Sequence, residues 1–256
     1  MRKIKVLLAA AVATLVVAIP ASAVMFGQPD GDGHPQVGLV VFYDASGSPL
    51  WRCTGALLSP TVFLTAGHCT SGTASARVWF DASAPAGYPF RGGVTGKTYA
   101  HPKYSDFAEF PANYDIGVVV LKKAVKGVQY AQLAAEGTLD SLATGTARDD
   151  ARFDLVGYGL QDALPPVFST ERTRYAGEAK LVNLQSANNA GYNVQLTAAS
   201  GTGGALCFGD SGGPVFLKGT LTVVAVNSFV LNSQCMGSGF SYRTDTADSL
   251  AFIGGF

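Results

Sequence analysis

The chain has 256 residues, 48% of them hydrophobic, and its 18 Lys plus Arg balance 18 Asp plus Glu. That composition supplies enough core for one large or two small domains and excludes a disordered chain. Arg2, Lys3 and Lys5 precede an apolar run from Val6 to Ile19 and then Ala21, Ser22, Ala23, the layout of a secretory signal over residues 1–23. The run's 14 residues fall short of the roughly 20 that span a bilayer, so cleavage and export are expected rather than anchoring. Removing residues 1–23 leaves 15 basic against 18 acidic side chains, a net charge of −3. Such a balance argues against nucleic acid as a partner.

Beyond the signal, short apolar or alternating runs recur between Gly, Pro, Ser and Asp clusters. They cover Val37 to Tyr43, Val62 to Ala66, Arg77 to Phe80, Ile116 to Leu121, Phe153 to Tyr158, Arg172 to Val182, Val194 to Thr197, Val215 to Leu217 and Leu221 to Val226. This is an all-β pattern. Helical periodicity is weak until the C-terminal end, where Asp245 is expected to cap a short helix running through Leu250 and Phe252 to Gly254 and Gly255.

The chain has four cysteines, Cys53, Cys69, Cys207 and Cys235. In an exported protein they read as two disulfides, with three connectivities open. No C-x-x-C pair occurs and the three histidines, His34, His68 and His101, are scattered, so no metal site is expected. Gly96, Lys97, Thr98 resembles the end of a phosphate loop, but Arg91 stands where its first glycine is required, so no nucleotide or other cofactor is expected.

Ser211 carries the chemistry. It sits in Gly209, Asp210, Ser211, Gly212, Gly213, Pro214, with His68 upstream in Thr65, Ala66, Gly67, His68, Cys69. A serine hydroxyl is a poor nucleophile near neutral pH and needs an imidazole to take its proton and a carboxylate to hold that imidazole. Asp115 is the candidate acid, because a polar turn there runs into the apolar Ile116 to Leu121 and can bury one carboxylate; Asp106, Asp140, Asp149 and Asp150 lie among charges or turn residues. His34 and His101 each precede a proline and read as loop residues. Gly209 to Gly213 also fits the G-x-S-x-G elbow of α/β-hydrolases, but those place the histidine after the serine, and here every histidine precedes Ser211. Gly209 lets the backbone expose N–H groups of Gly209 and Ser211 as an oxyanion hole.

In the order His68, Asp115, Ser211, with these flanking residues, the chain closely resembles the chymotrypsin-like (trypsin-family) serine proteases. The likeness runs from Val24 nearly to the C-terminus, including Gly157, Tyr158, Gly159 for the family's Gly-Trp-Gly and His101, Pro102, Lys103, Tyr104. It implies two packed six-stranded antiparallel β-barrels with a short C-terminal helix, the triad lying between them. Residues 24–140 would hold the first barrel and 141–256 the second, together one peptidase domain, with the stretch Ala131 to Arg148 as the crossover. It also implies the pairings Cys53 with Cys69 and Cys207 with Cys235, each worth about 3 to 4 kcal/mol through loop closure. Cleavage after Ala23 would create an N-terminus at Val24 whose α-ammonium pairs with Asp210, as in the family.

The substrate pocket departs from the trypsin pattern. The position that holds the Arg- or Lys-binding aspartate is Ala205, Phe229 stands in the strand that meets substrate, and Gly239 is expected to leave the opposite wall open. The resemblance therefore implies a secreted, extracellular endopeptidase cleaving beside apolar or small residues. Its partners would be polypeptide substrates and protein inhibitors, without membrane attachment once the signal is gone. The competing readings are a substrate-less homologue acting as a binding module, for which only the altered substrate strand speaks, and an esterase of the same fold.

Overall fold

The computed structural model of the chain describes residues 24–161, 163 and 172–256, so the expected signal over residues 1–23 lies outside the described residues. The β-rich pattern produces β1 (Gln28–Pro29), β2 (Val37–Tyr43), β3 (Pro49–Leu57), β4 (Val62–Thr65), the short helix α1 (Gly67–Thr70), β5 (Ser75–Trp79), β6 (Val94–Ala100) and β7 (Gly117–Leu121). Next come β8 (Gln132–Leu133), α2 (Thr138–Leu142), α3 (Gly145–Asp150), β9 (Arg152–Gly157), β10 (Tyr175–Asn183), β11 (Asn193–Ala198), β12 (Pro214–Leu217), β13 (Thr222–Val230), β14 (Gly237–Arg243) and α4 (Ala247–Ile253). Among the described residues, no helix is long and apolar enough to cross a membrane.

Two closed antiparallel barrels result. The first runs β2-β3-β4-β7-β6-β5 and is closed by β2 pairing with β5, Val40 opposite Val78. Its β-branched and aromatic strands suit a pleated surface buried on one side, and Val40, Phe42, Leu57, Phe63, Val78 and Val119 fill the interior. The second runs β10-β11-β14-β13-β12-β9 and closes through β9 and β10, Leu155 opposite Gly177. Phe153, Leu155, Val194, Leu196, Val215 and Val224 form its core.

A third apolar cluster joins them: Val37, Leu39, Leu64 and Ile116 from the first barrel meet Val156, Phe216, Val226 and Tyr242 from the second. Because the residues of this seam are as buried as those of the barrel interiors, the barrels form one packed support for groups placed across it. The edges are shared too, since β1 pairs with β10 and β8 runs parallel to β13. The boundary expected at residue 140 therefore falls inside α2, after the chain has already joined the second barrel.

Several local expectations are corrected. The expected crossover from Ala131 to Arg148 carries β8, α2 and the start of α3. Helix α4 is capped not by Asp245 but by Thr246, whose Oγ1 accepts from Ser249 N at 3.3 Å. Asp245 is instead buried in an ion pair with Arg243 at 2.8 Å and accepts from Leu139 N at 2.7 Å, holding the first turn of α2. His34 and His101 do lie in loops, as expected; His101 is stacked there on Tyr114 at 4.9 Å and packed against Phe252. His34 has an acid partner, Asp30, at 2.6 Å, and Asp30 in turn binds the buried Arg174 at 2.7 Å.

Candidate active site

Helix α1 follows β4 after one extended residue, Ala66, and presents His68 at the seam. The backbone N–H of a residue at a helix start has no partner within the helix. Here Asp115, just before β7, supplies one: its Oδ1 accepts from His68 N at 2.7 Å. The same carboxylate accepts from His68 Nδ1, with Oδ2 at 2.9 Å and Oδ1 at 3.1 Å. Ser228, on β13, donates its hydroxyl to Asp115 Oδ2 at 2.5 Å. Asp115 is thus fixed from both barrels, and with Nδ1 as donor the lone pair of His68 resides on Nε2.

Burial drives the two pKa values in the unfavourable direction, and the pair reverses it. For Asp115 burial raises the pKa, but the charge and hydrogen bonds of His68, with Ser228, hold it below the ordinary 3.8. For His68 burial lowers the pKa, while the charge and hydrogen bond of Asp115 raise it above the ordinary 6.5. An imidazole so placed can accept a proton and keep it, which is what a general base requires.

Ser211 is brought to the same seam by Gly212 and Thr54. Gly212 sits at φ +74, and a Cβ there would lie 2.1 Å from Thr65 Oγ1 and 2.6 Å from Ala66 N, so only glycine allows the serine turn to press on the segment leading to His68. Thr54, on β3, donates its N–H to Ser211 O at 2.8 Å and its hydroxyl to Gly209 O at 2.9 Å, and accepts from Tyr158 N at 3.1 Å. Thr65 Oγ1 binds Thr54 O at 2.8 Å. No described hydrogen bond joins Ser211 Oγ to His68; Nε2 instead lies 3.5 Å from Cys69 Sγ. That sulfur is disulfide-bonded and carries no proton, so the contact is van der Waals, and catalytic hydrogen bonds often tighten only around substrate.

The neighbouring amides are spoken for: Asp210 N donates to Cys207 O, Gly212 N to Asn227 O and Gly213 N to Asp210 O. Among the described hydrogen bonds, the N–H groups of Gly209 and Ser211 donate to nothing, and Gly209 holds φ +98. These are the two donors expected to bind an oxyanion.

The disulfides join Cys53 to Cys69 and Cys207 to Cys235. Cys53, His68 and Cys69 lie close enough to share a metal, but both thiols are consumed by the first disulfide.

Beside Ser211 a cavity of about 250 Å³ is lined by Leu206, Phe208, Ser228, Phe229 and Val230. Phe229 lines it as expected and stacks flat on Phe240 at 4.7 Å. Ala205 does not line it: it is buried behind, bonded to Met25 O at 2.8 Å. Nor is the wall at Gly239 open, since a Cβ there would lie 2.5 Å from Leu206 Cδ2; the missing side chain of Gly239 is the room that Leu206 occupies. Leu206 and Ser228 also belong to this site, one directly following Ala205 in sequence and the other directly preceding Phe229.

Asp210 is fully buried and accepts from Gly159 N at 2.8 Å and Cys207 N at 3.0 Å. Burial pushes its pKa up to about 7, against the pull of those hydrogen bonds and of Arg52. Val24 is also buried, packed in the second barrel's core, and the two residues are not in described contact. Val24 is β-branched yet has φ +47, a conformation costing about 1–3 kcal/mol.

Residues 30–251 match the family model described as Trypsin. The chain is 26% identical over 223 residues to "Fibrinolytic enzyme, isozyme C" of Lumbricus rubellus, covering 82% of this chain and 90% of that protein. It is 28% identical over 178 residues to "Chymotrypsin" of Phaedon cochleariae, covering 68% and 62% respectively. Its fold is similar to that of HL collagenase, with a TM-score of 0.68 at 18% identity over 91% of this chain and 99% of that one. With the family model spanning both barrels and His68, Asp115 and Ser211, this chain belongs to the trypsin family of serine endopeptidases.

Proposed function

We propose that this protein is an exported endopeptidase that cleaves peptide bonds beside apolar or small residues through an acyl-enzyme on Ser211. The observation that carries the reading is the Asp115–His68 pair, locked from both barrels, with the Ser211 turn pressed against it through Thr54 and Gly212. His68 Nε2 takes the hydroxyl proton as Ser211 Oγ attacks the carbonyl carbon, and the oxyanion forms against the N–H groups of Gly209 and Ser211. The proton on His68 then passes to the leaving amine, the C–N bond breaks, and water repeats the sequence on the ester. Asp115 keeps the imidazole oriented and stabilises its cationic form.

The substrate preference follows from the lining of Leu206, Phe208, Phe229 and Val230, which offers no counter-charge. A buried, unpaired ammonium or guanidinium would there cost several kcal/mol. The processing reading has separate support. Val24 is held in a strained conformation only while a peptide bond precedes it, and Asp210 is a buried carboxylate without a direct ion pair. Cutting before Val24 would release the strain and supply the cation. Labelling with an active-site phosphonate, compared between wild type and Ser211→Ala, tests the nucleophile. Cleavage-site profiling on a diverse peptide mixture tests the preference. Labelling that persists in Ser211→Ala, or efficient cleavage after Arg and Lys, overturns the respective part.

A further inference from the structure

Arg52, on β3, is a half-buried arginine that the chemistry above leaves unused. Its Nη1 donates to Tyr158 O at 2.9 Å, and among the described residues no carboxylate lies within ion-pairing distance of it. A guanidinium drawn out of water with no acid beside it is unfavourable, so the place it holds is informative. Successive side chains of a strand alternate between its faces, which puts Arg52 and Thr54 on the same face of β3. Between them they hold both polar groups of one peptide residue: Thr54 Oγ1 accepts from Tyr158 N at 3.1 Å, and Arg52 donates to Tyr158 O. Tyr158, Gly159 and Leu160 follow the end of β9 as a strip along the serine turn. Gly159 N donates to Asp210 Oδ1 at 2.8 Å, and Leu160 N to Phe208 O at 2.9 Å. Phe208 O and Gly209 N belong to one planar trans peptide, on which the carbonyl and the N–H point in opposite directions. With Leu160 holding the oxygen on one side, the Gly209 N–H is turned to the other, where no described group takes it. The guanidinium also lies against the turn itself, since a Cβ on Gly209 would stand 3.5 Å from Arg52 Cζ.

Resting on the proteolytic reading above, we propose that Arg52 is a positioning residue for the oxyanion hole, fixing the Phe208–Gly209 peptide through the Tyr158–Leu160 strip. The first barrel, which carries His68, thereby also aims an oxyanion donor that belongs to the second. The positive charge rests on the turn where negative charge grows during attack, so the contact strengthens toward the transition state.

Arg52→Met keeps the stem and removes the charge with its hydrogen bond, whereas Arg52→Lys keeps the charge. On an apolar fluorogenic peptide Arg52→Met is expected to lower kcat about 10-fold, a fraction of the 10²–10³ lost with an oxyanion donor outright, and to leave KM within about 2-fold of wild type. Arg52→Lys should recover about 3-fold of that loss, a point charge replacing the planar fork. A peptide boronate, whose tetrahedral adduct on Ser211 sets an oxygen against the Gly209 and Ser211 N–H groups, should bind Arg52→Met about 10-fold more weakly. The substrate peptide should bind Ser211→Ala equally well with and without Arg52→Met. A kcat within about 2-fold of wild type, a loss confined to KM, or a Lys variant no better than Met overturns the assignment. Should Arg52→Met fail to fold, Arg52→Lys is read alone, and a kcat equal to wild type overturns it. A wild type that neither cleaves peptides nor reacts with the phosphonate defeats the proteolytic reading instead. The hold on the peptide is then decided by amide hydrogen exchange, which should quicken at Leu160 N–H in Arg52→Met; an unchanged rate overturns it.

Discussion

Thr54 is the joint on which the serine turn hangs, and replacing it by valine removes one hydroxyl with little change of shape. The backbone links from Thr54 N to Ser211 O and from Thr65 Oγ1 to Thr54 O survive the change. Two partners are lost. Tyr158 N, in a fully buried residue, loses its acceptor, at about 1–3 kcal/mol, and the partly buried Gly209 O loses a donor, at about 0.5–1.5 kcal/mol. Destabilisation of about 2–4 kcal/mol is therefore expected. Gly209 also presents one of the two free N–H groups; its carbonyl lies in the next peptide plane, so releasing that carbonyl loosens the turn around Gly209 and with it the aim of the Gly209 and Ser211 N–H groups at the forming oxyanion. Losing such a donor outright costs about 10²–10³ in kcat; loosening it should cost about 10-fold or more, in kcat rather than in KM, because the bond is made in the transition state. Urea unfolding and steady-state kinetics on an apolar peptide measure the two effects. Thr54→Ser, which keeps the hydroxyl, should restore most of both, giving up only about 0.8 kcal/mol for a methyl. A Thr54→Val protein within about 0.5 kcal/mol of wild type and with undiminished kcat would refute the assignment.

His68→Ala and Ser211→Ala should each cost several orders of magnitude in turnover, and the double variant little more, since the groups act as one unit; additive losses in stopped-time assays would contradict it. The His68 pKa is raised above 6.5, so the acid limb of kcat/KM should have its midpoint above that value, and the stabilisation from the pair, complete below 6.5, should fade as pH rises through the folded pKa. Asp115→Asn should move that limb downward and lower kcat by about 10⁴, because the imidazole loses both its charge partner and its fixed tautomer. Leu206→Ala should deepen the cavity beside Ser211, shift cleavage toward larger aromatic residues, and cost about 2–4 kcal/mol in thermal or urea unfolding; an unchanged cleavage profile would remove Leu206 from the pocket wall.

The residues of the proposed triad stood out because catalytic chemistry demands particular residue types in particular short contexts, and chain order alone separated this fold from an α/β-hydrolase. Among the longer strands, β3, β6 and β14 fall outside the runs that pattern alone picks out. Strand β14 reads Gly-Ser-Gly-Phe-Ser-Tyr-Arg and β6 reads Val-Thr-Gly-Lys-Thr-Tyr-Ala, and neither alternates cleanly, because barrel closure rather than periodicity decides their burial. Asp245 has the composition of a helix cap, yet tertiary pairing with Arg243 claimed it and the cap passed to Thr246. The pocket was misread by one residue: counting back from Ser211 lands on Ala205, whereas which of two adjacent side chains faces the cavity depends on the twist of the Cys207 turn and on Gly239 making way for Leu206. Ser228 could not be read at all without the second barrel lying against Asp115.

On the proposed processing before Val24, Asp210 links that cut to activity through the sign of its linkage. A carboxyl pushed from 3.8 to about 7 by burial binds protons more tightly folded than unfolded, so the fold loses stability as pH rises between those values and stays penalised above them. Three pKa units amount to about 4 kcal/mol at about pH 8. In the chain that continues upstream of Val24, Asp210→Asn removes that penalty but sets an amide N–H against one of the two donors, Gly159 N or Cys207 N, at about 1–3 kcal/mol. It should therefore stabilise this form by about 1–3 kcal/mol at about pH 8 and destabilise it by a similar amount at about pH 4, where wild type carries little penalty. In a chain beginning at Val24, an ammonium paired with Asp210 cancels the penalty. There Asp210→Asn should destabilise at about pH 8 and abolish most activity by freeing the Gly209–Ser211 backbone. Thermal unfolding of both chain forms, each with and without the substitution at the two pH values, measures the contrast. An equal shift in both forms at about pH 8 would show that no ammonium reaches Asp210.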